Sequence, residues 1–230
     1  MMTFQELQEG LYDPNIFKAF FLAGGPGSGK SEVIKGTGGG HGLKIVNSDD
    51  AFEAMMKKAG LSLKMPPEEE ERKDVVRGRA KTVTVKRHAN YVEGRLGLII
   101  DSTARDSAKI LQHKAMLEEL GYDTHMVYVN TSLDVALARN AQRDRSVAEP
   151  VVVKSWKDVQ ANIGTFSQAF RGRFIVVDNN DPLETMKKDI FPKIWKIIRA
   201  ELKKKVSNTR AKNWMAMNSL KKHDNPSFFS

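Results

Sequence analysis

Phe20-Phe21-Leu22-Ala23-Gly24-Gly25-Pro26-Gly27-Ser28-Gly29-Lys30-Ser31 is the stretch that decides how this chain is read. It begins as an apolar run, with Phe17 and Ala19 just before it, and breaks into a glycine-rich turn. The spacing is G-x-x-x-x-G-K-[ST], with Gly24 as the first glycine, a buried-type strand before it and a helical stretch after it. Glycines open backbone conformations closed to other residues. Successive N–H groups can then face one concavity, a nest for anionic oxygens, and the following helix adds its positive end. Gly24, Gly25, Pro26, Gly27, Ser28 and Gly29 thus predict a phosphate cradle for a nucleoside triphosphate. Lys30 is a compact charge for the β- and γ-phosphates, and the Ser31 hydroxyl suits Mg²⁺. An ordinary strand-to-helix turn would explain the glycines but not the lysine and hydroxyl behind them.

The bulk numbers agree with one α/β domain and some chain left over: 230 residues, 40% hydrophobic and 28% charged. The expected division is a domain over 1–205 and a tail over 206–230. No apolar run reaches the length of a membrane span, and Glu6 and Glu9 do not suit a signal peptide. There is no cysteine, so disulfides and thiolate metal sites are out, and a cytoplasmic setting is expected. The net charge is +9, and residues 199–222 carry +7 of it. The basic character belongs mostly to the tail, where Trp214, Met215, Met217, Phe228 and Phe229 are interspersed.

Strand and helix patterns alternate along the chain. Strands are expected at about 17–23, 43–47, 96–100, 126–130 and 173–177. A short helix follows the cradle until the glycines of 36–42 stop it, and His41 there reads as a loop histidine. Further helices are expected at about 50–60, from Pro66-Pro67 to Tyr91, at 105–120 capped by Ser102 or Thr103, and after Ser132. Others fall at 151–163 and at 183–203, the last interrupted at Pro192. Residues 143–150 read as a loop. The pattern predicts a five-stranded parallel sheet flanked by helices, with ligands at the carboxyl ends of the strands. Asp49 and Asp101 fall at such ends.

The cradle alone does not name a reaction. A guanine-reading N-K-x-D is absent, since the fourth strand runs into Asn130-Thr131-Ser132-Leu133-Asp134, and Asp101-Ser102-Thr103-Ala104 is not a D-x-x-G switch. The small size disfavours a motor. Phosphoryl transfer to a hydroxyl remains, and it needs positioning, charge neutralisation and a base near the acceptor. Asp49 is the candidate base or hydroxyl-orienting group, and its neighbour Asp50 the candidate cap of the next helix. Asp101 is placed for Mg²⁺-bound water or for the acceptor, unless it only caps a helix. Arg139, Arg143 and Arg145 can fold over the phosphates, with one of the three left for surface pairing. The basic run from Arg72 to Arg87 is either an acceptor-binding wall or a solvated helix face.

Four segments carry a resemblance: GGPGSGKS at 24–31, IVNSDD at 45–50, GLIIDST at 97–103 and LARNAQRDR at 137–145. Together they resemble the kinase module of phage polynucleotide 5′-hydroxyl kinases and, more distantly, zeta-toxin kinases. The resemblance implies a P-loop NTPase fold of the kinase type with an arginine lid, using ATP and Mg²⁺. It implies Asp49 as general base, Asp101 at the acceptor end, Arg143 as the lid arginine, and cradle roles for Lys30 and Ser31. It also implies a nucleic-acid acceptor, DNA ahead of RNA; no membrane partner is expected, and the cytoplasm would be that of the host if the chain is phage-encoded. Two departures stand out. Ala51-Phe52-Glu53 replaces the arginine that follows the paired aspartates in those kinases, and Asp178-Asn179-Asn180-Asp181 is no D-x-D-x-T phosphatase signature. The altered acceptor region would suit the hydroxymethyl group of a modified pyrimidine. A small-molecule kinase for nucleosides, nucleotides or nucleotide sugars is the alternative, and a non-catalytic nucleotide-binding adaptor is a third.

Overall fold

Strand β1 (Lys18–Ala23) is buried along its whole length, and its alternation builds two cores at once. Ala19, Phe21 and Ala23 face one side of the sheet, while Phe20 and Leu22 face the other. The computed structural model describes residues 10–37, 42–63, 66–143 and 146–223. Among them, β1 is joined by β2 (Lys44–Val46), β3 (Leu98–Asp101), β4 (Asp123–Asn130) and β5 (Phe174–Asp178). The order is β2-β3-β1-β4-β5, and every pairing is parallel. All carboxyl ends therefore open at one pole.

The helices are α1 (Lys30–Thr37), α2 (Ser48–Lys58), α3 (Glu70–Glu93), α4 (Ser107–Glu119) and α5 (Leu133–Ala141). They continue with α6 (Glu149–Ala161), α7 (Ile163–Phe170), α8 (Phe191–Leu202) and α9 (Thr209–His223). One face of the sheet is covered by Ile110 and Leu117 of α4, Val159 of α6, Phe166 and Phe170 of α7, and Ala211 of α9. The opposite face takes Val33 and Ile34 of α1, and Phe191, Ile194 and Ile198 of α8. A third, smaller core joins α2 to α3 through Phe52, Met56, Val76 and Ala80. That helical pair stands beyond the β2 edge.

Several local expectations are corrected. The cap of α2 is Asn47, whose side chain accepts from the Asp49 N–H at 2.7 Å; Asp50 lies inside the first turn. The cap of α4 is Asp106, not Ser102 or Thr103, so Asp101 is not a helix cap. Strand β3 starts two residues late because the Asp13 carboxylate takes the Gly97 N–H at 2.9 Å. Strand β4 starts three residues early: Asp123, Thr124 and His125 looked too polar for a strand, yet Lys18 pairs with Asp123 and Glu118 with Thr124. Helix α7 went unforeseen because Gly164 reads as a break, although Phe166 and Phe170 are spaced to share one buried face. The expected loop at 143–150 ends sooner, with Pro150 in the first turn of α6. The interruption near Pro192 takes the form of a π turn over Met186–Ile190, after which Pro192 opens α8.

The segment after 205 is helical over α9, and that helix is docked. Trp214 and Met215 pack against the first core, and Trp214 meets Phe17 edge-on at 5.6 Å. Arg95 lies over the Trp214 ring, and Arg210 donates to the Glu119 carbonyl at 2.9 Å. Trp214 is thus half-buried and engaged in packing against the first core. Phe228 and Phe229 lie outside the described residues, as do Gly38 to His41.

Candidate active site

Gly24 follows β1, and the cradle is closed by its own lysine: the Lys30 ammonium donates to the Gly24 carbonyl at 2.6 Å. Close approach explains two of the glycines. Gly27 sits at φ +76 and a Cβ there would lie 2.1 Å from the Ala136 carbonyl oxygen. Gly29 sits at φ +84 and its Cβ would lie 2.3 Å from Asn179 Nδ2. Any side chain would be strained at both positions. Above Gly25 runs α6, with the Trp156 backbone 3.7 Å from where a Cβ would stand.

Register places the acid. Asp101 at the end of β3 sits beside Leu22, two residues before the cradle. Its Oδ2 accepts from Asn47 Nδ2 at 2.9 Å, while its Oδ1 is buried with no hydrogen-bond partner among the described residues. Burial raises the Asp101 pKa; Lys30 opposes that shift, and Asp50 and Asp49 add to it. The Lys30 pKa is lowered by burial, raised by Asp101, lowered by Arg143 and raised by Asp49. Lys30, Asp49, Asp101 and Arg143 therefore share one electrostatic site, brought together by α1, α2, β3 and the end of α5. Asp49 is exposed in the first turn of α2, and Ser31 is exposed in that of α1.

The arginines divide. Arg143 is exposed just past α5, and Arg145 lies outside the described residues. Asn140 ties the loop beyond them, donating to the Val147 carbonyl at 2.7 Å and accepting from the Val147 N–H at 2.9 Å. Arg139 donates to the carbonyls of Asn179 at 2.8 Å and Asp181 at 3.0 Å. Its guanidinium holds the turn after β5 in place. That turn returns to the cradle, where the buried Asn179 amide donates to the Ser28 carbonyl at 2.7 Å. Sequence reasoning missed Asn179. The available signal was its place directly after a strand, at the pole where ligands bind.

Among the described residues no group of three His, Asp or Glu is placed to hold a metal. The donors near the cradle include the Ser31 hydroxyl, the buried Ser28 hydroxyl and the Asp101 carboxylate with its unpartnered buried oxygen. Such a set fits an ion held mainly through phosphate oxygens and water, as Mg²⁺ is. No helix among the described residues is long and apolar enough to cross a membrane.

Parallel sheet, cradle and flanking helices define a P-loop nucleotide-binding fold of the kinase type. A family model described as an AAA domain matches residues 20–165, and the chain belongs to that family. Among solved structures it is similar to a “putative kinase” from Chloroflexus aurantiacus, with a TM-score of 0.51 and 18% identity over 81% of this chain and 97% of that one. A shikimate kinase from Acinetobacter baumannii in complex with shikimate gives a TM-score of 0.47 and 18% identity over 83% and 98%. A chain of the Pnkp1/Rnl/Hen1 RNA repair complex gives 0.49 and 20% over 66% and 47%. At such identities the likeness is one of fold. No curated protein matches the sequence.

Proposed function

We propose that this chain is an ATP- and Mg²⁺-dependent kinase that phosphorylates a hydroxyl carried by a nucleic-acid strand, either a 5′ end or a base hydroxymethyl group. The observation that carries the proposal is geometric: Lys30 closes the cradle on the Gly24 carbonyl, and the neighbouring strand ends beside it on Asp101, whose buried Oδ1 has no hydrogen-bond partner among the described residues, with Asp49 and Arg143 within electrostatic reach of Lys30. The backbone N–H groups of 24–29 and Lys30 would hold the β- and γ-phosphates. Ser31, and Asp101 through water, would hold Mg²⁺. The bound metal–triphosphate supplies the transferable group and neutralises its charge. Asp49 would orient the acceptor hydroxyl and take its proton as the new O–P bond forms and the bond between the γ-phosphorus and the bridging oxygen breaks. Arg143 would stabilise the charge spreading over the transferring group. DNA ranks ahead of RNA as acceptor by the resemblance to phage polynucleotide kinases.

The acceptor side is the α2–α3 pair. Arg79, Lys81, Lys86 and Arg87 are exposed on α3 and supply salt-sensitive phosphate contacts. Three other cations of that run are engaged within the fold, which favours a second reading, a small-molecule kinase. Arg72 donates to the Ala59 carbonyl, Lys73 pairs with Glu70, and Arg77 lies 4.2 Å over the Phe52 ring. Transfer from γ-labelled ATP to a panel separates the two. The panel holds a 5′-hydroxyl oligonucleotide, a 5′-blocked one carrying hydroxymethyluracil, and free nucleosides and nucleotides. Label on either oligonucleotide supports the proposal; label on small molecules alone overturns its nucleic-acid part.

A further inference from the structure

A groove of about 750 Å³ opens at the pole opposite the cradle. Its floor includes Lys18, the first residue of β1, whereas the cradle follows the last. Six extended residues put the two sites roughly 20 Å apart. Arg199, Lys203, Lys204, Lys205 and Lys212 line the groove, with Trp195 as an aromatic wall.

The charges there are largely uncompensated. Lys18 is matched by Asp123 at 2.7 Å and Lys204 by Glu201 at 2.6 Å. Arg199, Lys203, Lys205 and Lys212 are exposed and in no ion pair among the described residues. The carboxyl end of α8 attracts cations, but one or two satisfy it. The remaining cations come from α8, the turn after it and α9, and docking of α9 brings Lys212 to the others. A second depression of about 450 Å³ shares Lys204 and is lined also by the exposed Arg171 and Arg173, with Glu118 and Glu201 among them. A path of spaced cations suits an extended polyanion better than one small anion.

We infer that this groove binds the sugar-phosphate backbone of single-stranded nucleic acid, as an anchor remote from the phosphate cradle. The proposed kinase activity makes that strand the acceptor, and the inference rests on it for that point alone. The tail charges then hold the body of a strand, not the end presented to Lys30.

The test uses the full chain and a labelled oligothymidylate blocked at both ends, without ATP. Anisotropy is read across a salt series for wild type, for Lys203→Gln/Lys205→Gln/Lys212→Gln, and for Lys30→Met, with thermal melts to check folding. Arg199→Gln/Arg171→Gln is the second variant should the first melt early. The expected result is about tenfold or more weaker binding for the triple variant, with the log–log salt slope reduced by about 2. Lys30→Met should bind as wild type does. Equal binding by folded groove variants overturns the inference. So does displacement of the strand by equimolar inorganic phosphate, or capture by phosphatidylserine vesicles in preference to the strand. Strand binding without label transfer from ATP would sink the kinase reading and leave the groove standing.

Discussion

The side-chain amide of Asn179 donates to the main-chain carbonyl of Ser28 at 2.7 Å, joining residues 151 positions apart. The turn after β5 is thereby a strut under the phosphate cradle. Arg139 locks that turn from the other side through the Asn179 and Asp181 carbonyls. Arg139, read from the sequence as a group for the phosphates, is bound to the structure that supports them.

Replacing Asn179 by alanine should loosen the cradle without touching a phosphate. The lost bond is buried, so a cost of about 1–2 kcal/mol is expected. Part of it should appear as weaker ADP binding, about threefold by calorimetry, with the melting temperature slightly lowered. Gly29→Ala should be worse, since its methyl group needs the space of the Asn179 amide and a backbone at φ +84.

Trp214→Ala should destabilise the whole domain. The indole is packed against the first core and edge-on to Phe17. Loss of such a ring costs about 3 kcal/mol, and urea unfolding at constant slope would measure it. Removal of 206–230 should therefore lower stability as well as charge, and cannot serve as a clean test of strand binding. A truncated chain that melts with the full one would contradict the docking of α9.

Mild acid should destabilise the fold through one buried and two half-buried histidines. Burial lowers His125 and His113 from 6.5 to about 4, and His88 in the same direction. His88 and His113 face each other with Nε2 atoms 3.1 Å apart, so one must accept from the other and a second proton breaks the pair. These groups stay neutral in the fold while the unfolded chain takes up protons below about 6.5. Stability is therefore full above that pH and falls as pH drops from 6.5 towards 4. A melting temperature that is flat between pH 7 and 4.5 would contradict this, and His113→Leu should reduce the slope.

The sheet was legible because its strands are apolar runs ending at glycine, asparagine or aspartate, and the cradle because its spacing follows from phosphate geometry. The start of β4 was not, since Asp123 and Thr124 become strand residues only through partners distant in sequence or folded back on them, Lys18 and Glu118. The positions of Asp49 and Asp101 followed from strand ends. The strut at Asn179 did not, because a hydrogen bond to a main-chain carbonyl leaves no residue pattern at the accepting end. The tail showed its charge but not its packing: Ala211 is buried against Gly121 and Trp214 half-buried against Phe17, contacts that no local periodicity announces.

The most direct test of the account is label transfer from γ-labelled ATP to the 5′-hydroxyl oligonucleotide, the 5′-blocked hydroxymethyluracil oligonucleotide and the free nucleosides and nucleotides by wild type and Asp49→Asn side by side, with ADP affinity measured on both. Asp49 is exposed in the first turn of α2, and its side chain is not the cap of that helix, so the variant should fold and bind nucleotide normally. The account predicts transfer by the wild type and a loss of about 10²- to 10⁴-fold in the variant. Undiminished transfer by Asp49→Asn would contradict the assignment of the base, and nucleotide binding with no transfer to any hydroxyl would contradict the kinase itself.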